Sequence, residues 1–139
     1  MTDLVLDASV ALSWCFRNEA TAATDRVLDR LADETASVPA IWHLEIANVL
    51  ALSERRGRIT PARSSEFLSL LETLAIEVDE ETPSRALGRV LDLARAEQLT
   101  AYDAAYLELA MRLGIPLASK DTDLCDAAER LGVTVLSGA

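Results

Sequence analysis

The residues in this sequence best suited to chemistry are acids. Asp7 closes the apolar run LVLD, Glu45 sits in IWHLEIANVLAL, Asp103 in LTAYDAAY and Asp121 in LASKDTDL. Each has an ordinary structural use. Asp7 can end a strand and begin a turn. Asp103, three residues after Thr100, can complete a capping box with Asp in place of Glu. Asp121 can cap or charge the start of a helix, and Glu45 can lie on the margin of an amphipathic one. On a helical projection, Ile41, Glu45, Asn48 and Leu52 share one face, so Glu45 and Asn48 read as a half-buried polar pair between apolar neighbours. If the four acids converge they repel: two unit charges at ~4 Å cost ~4 kcal/mol at an effective dielectric of ~20. A cluster of that kind takes up protons or cations. Oxygen ligands without histidine or cysteine suit Mg²⁺ or Mn²⁺ rather than zinc. That donor set serves phosphodiester hydrolysis, in which divalent ions activate water and stabilise the attacking and leaving oxygens.

Alternating strands and helices are needed to gather these acids, and the sequence pattern supplies them. Residues 3–7 and 36–39 read as strands; between them, Ser9 caps a helix over 10–16 and a turn-rich or helical stretch covers 19–33. A helix over 41–56 stops at Gly57. Thr60 followed by Pro61 is a cap with proline at the first helical position and opens 61–74. Residues 76–78 read as a third strand. Thr82-Pro83 repeats the cap-then-proline signal and opens a helix to about residue 98. Thr100 opens a helix over 101–113 that Gly114 ends; a strand at 116–119, a helix over 121–131 ended by Gly132 and a strand at 133–136 follow. This order implies βαβ units in one domain over residues 1–139, with a mostly parallel sheet and helices on both faces. Functional sites in such sheets lie beyond the carboxyl ends of the strands, where Asp7 and Asp121 would both project.

Composition narrows the classes. The chain has 139 residues, 50% hydrophobic and 26% charged, an ordinary globular balance. Only Met1 and Thr2 precede the first apolar run, too little for a signal peptide, and no apolar stretch approaches the ~20 residues of a membrane span. A cytoplasmic protein without membrane contact is expected. Cys15 and Cys125 match no zinc spacing and read as buried apolar residues. The single histidine, His43, stands without a G-x-S-x-G elbow, and the five glycines form no phosphate loop. The net charge of −10 argues against a polyanionic partner. Two features oppose that argument. Acids that hold cations do not present free negative charge, and Arg55, Arg56, Arg58 and Arg63 fall within nine positions.

Taken together, LVLDASVAL, LEIANVL, TAYDAAYLELA and LASKDTDL resemble, in order and spacing, the acidic motifs of the PIN-domain family, VapC-like toxins in particular. The resemblance runs from about Leu4 to Val135. It implies a PIN-like three-layer α/β sandwich. It also implies that Asp7, Glu45, Asp103 and Asp121 are metal-binding acids, with Asp123 as an auxiliary ligand or a helix-start charge. Ser9 and Ser119 match hydroxyl positions beside the first and last acids, and Asn48 a polar partner one turn after the Glu. Ser119 stands where Thr is more usual, which keeps the hydroxyl. Members of this kind cleave RNA with Mg²⁺ or Mn²⁺, are usually homodimers, and are held inactive by a cognate antitoxin.

Secondary features carry two readings each. Arg55, Arg56, Arg58 and Arg63 either complement a helix end or contact RNA phosphate or an acidic antitoxin segment. Lys120 is either a solvated loop lysine or an RNA contact. Trp14, Phe16 and Trp42 are core or groove wall, and helix 61–74, with Phe67, Leu68, Leu70, Leu71 and Leu74, has apolar surface to spare for a dimer or antitoxin interface. Three rivals stand beside the nuclease. A receiver-like domain would need paired acids near strand one, where Asp7 stands alone. A phosphatase built on Asp121-Thr122-Asp123 would place its nucleophile far from the first strand. A non-catalytic PIN-like binding module would not need all four acids.

Overall fold

The computed structural model describes residues 1–136. Its elements are β1 (Leu4–Leu6), α1 (Ala8–Ser13), a 3₁₀ turn (Arg17–Glu19), α2 (Ala22–Arg30), β2 (Ala36–Val38), α3 (Trp42–Arg55), α4 (Pro61–Glu72) and β3 (Ile76–Val78). They continue with α5 (Thr82–Arg85), a π-helical stretch (Ala86–Val90), α6 (Leu91–Glu97), α7 (Ala101–Leu113), β4 (Leu117–Ala118) and α8 (Thr122–Arg130). Most boundaries follow local chemistry. Thr60 accepts from the Arg63 N–H and Pro61 takes the first turn of α4. Thr100 accepts from the Asp103 N–H to open α7, and Gly114, at φ 66°, ends it in the left-handed conformation that glycine adopts without a Cβ clash.

Three expectations need correction, and the turn-rich or helical stretch 19–33 resolves into its parts. Ser9 does not cap α1; the helix starts two residues earlier than expected, at Ala8 behind Asp7, and ends at Ser13. The stretch 19–33 is a 3₁₀ turn and then α2, opened by a reciprocal cap in which Thr21 and Thr24 bond each other's backbone. Thr82 is not a cap either. Its hydroxyl donates to Asp79 Oδ2 at 2.9 Å, and the helix to residue 98 is split by the π-helical stretch before Gln98 closes it at φ 55°. The strand expected at 133–136 is one parallel bridge, Leu117 with Val135.

All strand pairs are parallel, in the order β3-β2-β1-β4. The register pairs Leu4 with Ala36, Val5 with Leu117 and Ala36 with Ile76. The chain moves outward from β1 through β2 to β3, then crosses back to pair β4 on the other side of β1. Right-handed crossovers therefore put α1–α4 on one face and α5–α7 on the opposite one, and the direction of winding reverses between β1 and β4. That reversal opens a crevice at the carboxyl ends of these two strands. The three residues of β1 are fully buried at the centre of the main core, as expected of a parallel strand covered on both faces. Trp14, Phe16, Trp42 and Phe67 all belong to that core, whereas Leu68 is exposed. Cys15 and Cys125 are buried free thiols. No helix among the described residues is long and apolar enough to cross a membrane.

Candidate active site

Asp7 follows β1 directly and Asp121 follows β4, so both stand at the crevice where the winding reverses. Two serines lock this corner. Ser9 Oγ donates to Asp7 Oδ2 at 2.8 Å and accepts from the Lys120 N–H at 3.0 Å. Ser119 Oγ donates to the same oxygen at 2.7 Å and accepts from the Asp121 N–H at 3.0 Å. Each hydroxyl has one proton to give, so Asp7 is the acceptor in both bonds, and the loop after β4 is tied to the end of β1. Asp7 is only 5% exposed. Burial raises its pKa, against the Ser119 and Ser9 hydrogen bonds, with a further push from the Asp121 charge.

Asp103 lies in the first turn of α7, and its pKa is pushed up to about 6 by burial, then by the charges of Asp121, Asp7 and Asp123. Glu45 lies in the first turn of α3, and burial raises its pKa, aided by Asp7 and Asp103. The four acids therefore feel one another, and Asp123, exposed at the start of α8, acts on Asp103. No Arg or Lys is among the principal causes acting on Asp7, Glu45 or Asp103. Asp121 also fills its structural use: Oδ1 accepts from the Leu124 N–H at 2.9 Å as the cap of α8. Asn48 is exposed, so the half-buried pair expected on α3 reduces to Glu45 alone. The helix turns Asn48 toward solvent while Glu45 faces the crevice.

Tyr106 is a partner that sequence reasoning missed. Its hydroxyl donates to Glu45 Oε1 at 2.5 Å, which joins α7 to α3 across the crevice. Burial, and the Asp7 and Glu45 charges, push its pKa far up, so it is a neutral donor at any physiological pH. The signal was available: a tyrosine one turn after Asp103 in an apolar helix carries a hydroxyl that needs a buried partner. Lys120 is not a purely solvated loop lysine, because its Nζ donates to the Glu19 carbonyl at 2.6 Å. Arg55 and Arg56 are exposed at the end of α3, and Arg58 lies over the Phe16 ring at 5.0 Å. Arg63 is structural, donating to the Trp14 and Cys15 carbonyls.

The donor set fits a hard divalent cation: oxygen atoms only, with negative charge that no ion pair relieves among the described residues. As the side chains stand, no three acidic, His or Cys residues among the described residues are gathered closely enough to clasp one ion. Mg²⁺ does not demand such a cage, since it keeps several waters and takes one or two carboxylates directly.

The electrostatic burden has a measurable consequence. In the metal-free protein the folded pKa of Asp103 lies above the unfolded one, so proton binding favours the fold. That stabilisation is complete below the unfolded pKa and is lost as pH rises through about 6. Asp103→Asn, which cannot ionise, should gain stability relative to the wild type between about pH 4 and about pH 7 in EDTA. Urea midpoints of the two proteins would show it; a difference independent of pH would refute the raised pKa.

A parallel α/β sheet with carboxylates gathered at its switch point defines the class: an acid-centred α/β domain. A family model described as PIN domain matches residues 4–130, and the chain belongs to the PIN-domain family. Among solved structures, it is similar to PAE2754 from Pyrobaculum aerophilum, at 23% identity over 97% of this chain and 84% of that one, with a TM-score of 0.70. It is similar to VapBC2 from Rickettsia felis bound to a DNA fragment from its promoter, at 12% identity over 98% of both chains and a TM-score of 0.69. A toxin–antitoxin complex from Klebsiella pneumoniae matches at 16% identity over 99% of this chain and 100% of that one, with a TM-score of 0.64. At these identities the likeness is one of fold. No curated protein matches in sequence.

Proposed function

We propose that the protein is a metal-dependent endoribonuclease and the toxin of a type II toxin–antitoxin pair. One observation carries the reading. Four acids from separate parts of the chain stand around one switch point, where burial first, and then the charges of neighbouring acids, raises the pKa values of Asp7, Glu45 and Asp103. Membership of a family whose domains are generally nucleases supports it. The fold's likeness to chains in toxin–antitoxin complexes supports the partner.

Asp7, Asp103 and Asp121 would hold Mg²⁺ or Mn²⁺, with Glu45 completing this set or serving a second ion and Asp123 assisting. Such an ion supplies Lewis-acid polarisation of the scissile phosphate and activation of water. The chain's own part is preorganisation. Ser9 and Ser119 fix the rotamer of Asp7, and Tyr106 fixes Glu45. A cognate antitoxin would keep the protein inactive, and exposed Leu44 and Leu68 offer apolar surface for a homodimer.

The openness of the acid cluster favours a second reading, a PIN-like module that binds a partner without catalysis. Incubation of the protein with total RNA separates the two. Discrete fragments with Mn²⁺ or Mg²⁺, abolished by EDTA, are expected. Folded protein that cuts nothing with either ion and shows no metal-induced thermal shift would establish the binding module instead.

A further inference from the structure

The net charge of −10 opposes RNA binding, yet the basic residues are not spread evenly. A groove of about 500 Å³ runs between the end of α1 and the start of α4. Arg17, Arg58 and Arg63 line it, and none of its lining residues is acidic. Arg63 is committed: it holds the Trp14 and Cys15 carbonyls and pairs with Glu66 at 3.2 Å. Arg17 and Arg58 are exposed, and no acid among the described residues pairs with either. Arg58 stands over Phe16 in a cation–π contact, its guanidinium carbon 5.0 Å from the ring centroid. That contact holds the guanidinium beside the groove that Arg58 lines.

The groove is joined to the acid cluster in two ways. α1 starts behind Asp7 and is about 9 Å long at 1.5 Å per residue, so its far end delivers Cys15 and Phe16 to the groove. The turn that carries Arg17 is also fastened to the loop that carries Asp121, because Lys120 Nζ donates to the Glu19 carbonyl. The segment that carries Arg17 therefore neighbours the loop that carries Asp121.

We propose that this groove is the track for the single-stranded RNA flanking the scissile bond, with Arg17 and Arg58 as its phosphate contacts. The proposal rests on the nuclease reading. The chemistry is that of local charge complementarity: a guanidinium fork suits the phosphate diester bidentately. Two unpaired cations in one acid-free groove give a polyanion a foothold that the overall charge does not suggest. An RNA flank is favoured over an acidic polypeptide because the Arg17 turn is fastened to the loop of a site suited to phosphodiesters.

The test is equilibrium binding of a fluorescent oligouridylate to the full chain in EDTA, followed by anisotropy at several salt concentrations. No cleavage is read and no metal is present, so failure of the nuclease reading would leave this result standing. For Arg17→Ala with Arg58→Ala, affinity should fall about tenfold or more at ~0.1 M salt, and the slope of log affinity against log salt should shrink by about 1.4. Arg17→Ala alone should take about half of that slope; it removes an exposed, unpaired side chain and carries the test if the double variant does not fold. Arg89→Ala, an exposed arginine elsewhere, should change nothing. Three results would overturn the proposal: unchanged affinity and slope in the groove variants, an equal loss in Arg89→Ala, or tighter groove-dependent binding of an equally charged oligoglutamate. The last would assign the groove to an acidic polypeptide.

Discussion

Asp7→Asn should lower metal-dependent RNA cleavage about a thousandfold or more while leaving the protein folded and at least as stable without metal. The loss follows from position. Asp7 is the buried member of the acid cluster, and its Oδ2 receives both serine hydroxyls. The amide keeps one oxygen to accept those bonds, so the corner between β1 and the loop after β4 should hold. What disappears is the charge, the part a cation needs. In the metal-free fold that charge is a liability, because burial and Asp121 both disfavour it. A saturating ion at about 100 times its Kd should stabilise the wild type by about 2.7 kcal/mol and the variant far less. Cleavage assays with Mn²⁺ and thermal melts with and without the ion check both halves. A folded variant with wild-type cleavage would remove Asp7 from the proposed machinery.

Arg112→Met should destabilise the fold by about 3–5 kcal/mol, a large effect for a change outside the acid cluster. Arg112 Nη2 donates to Asp79 Oδ2 at 2.7 Å and Nε to Glu108 Oε2 at 2.9 Å. The side chains are 12%, 10% and 2% exposed for Arg112, Asp79 and Glu108. Removing the cation strands two carboxylates in a poorly solvated place. Burial pushes the Asp79 pKa up, but the Arg112 and Thr82 hydrogen bonds outweigh it and hold the carboxyl below its usual range. A depressed folded pKa stabilises above the unfolded value and is lost as pH falls through the folded one. The deficit of the variant should therefore be full near neutral pH and shrink in acid. Urea unfolding at several pH values reads this directly; a loss under 1 kcal/mol near neutral pH would show that solvent already screens the trio. Because α7 also carries Asp103 and Tyr106, the ion network holds the helix that presents them.

The acids were legible in the sequence because they sit where elements begin or end: after an apolar run, or in the first turn of a helix. Tyr106 was not, since its partner Glu45 is 61 residues away and only folding brings the two together. Arg112 and Glu108 are a visible i, i+4 pair, but Asp79 lies 33 residues from Arg112. The chain is helical from Thr82 to Glu97 as expected, with a π-helical stretch inside it, but Thr82 never caps it because Asp79 takes its hydroxyl. Ser9 misled similarly, because its hydroxyl serves Asp7 and the Lys120 N–H rather than a helix end.

Periodicity, caps and breakers are properties of neighbouring residues, so the sequence alone determined the βα alternation, the parallel sheet and the edge at which the acids project. The structure decided which strands flank β1 and therefore where the winding reverses. It also decided which hydroxyls lock Asp7, which arginine is committed to carbonyls, and which two stand free in the groove. Those outcomes depend on contacts between residues far apart in the chain, and only tertiary packing settles which buried polar group finds which partner.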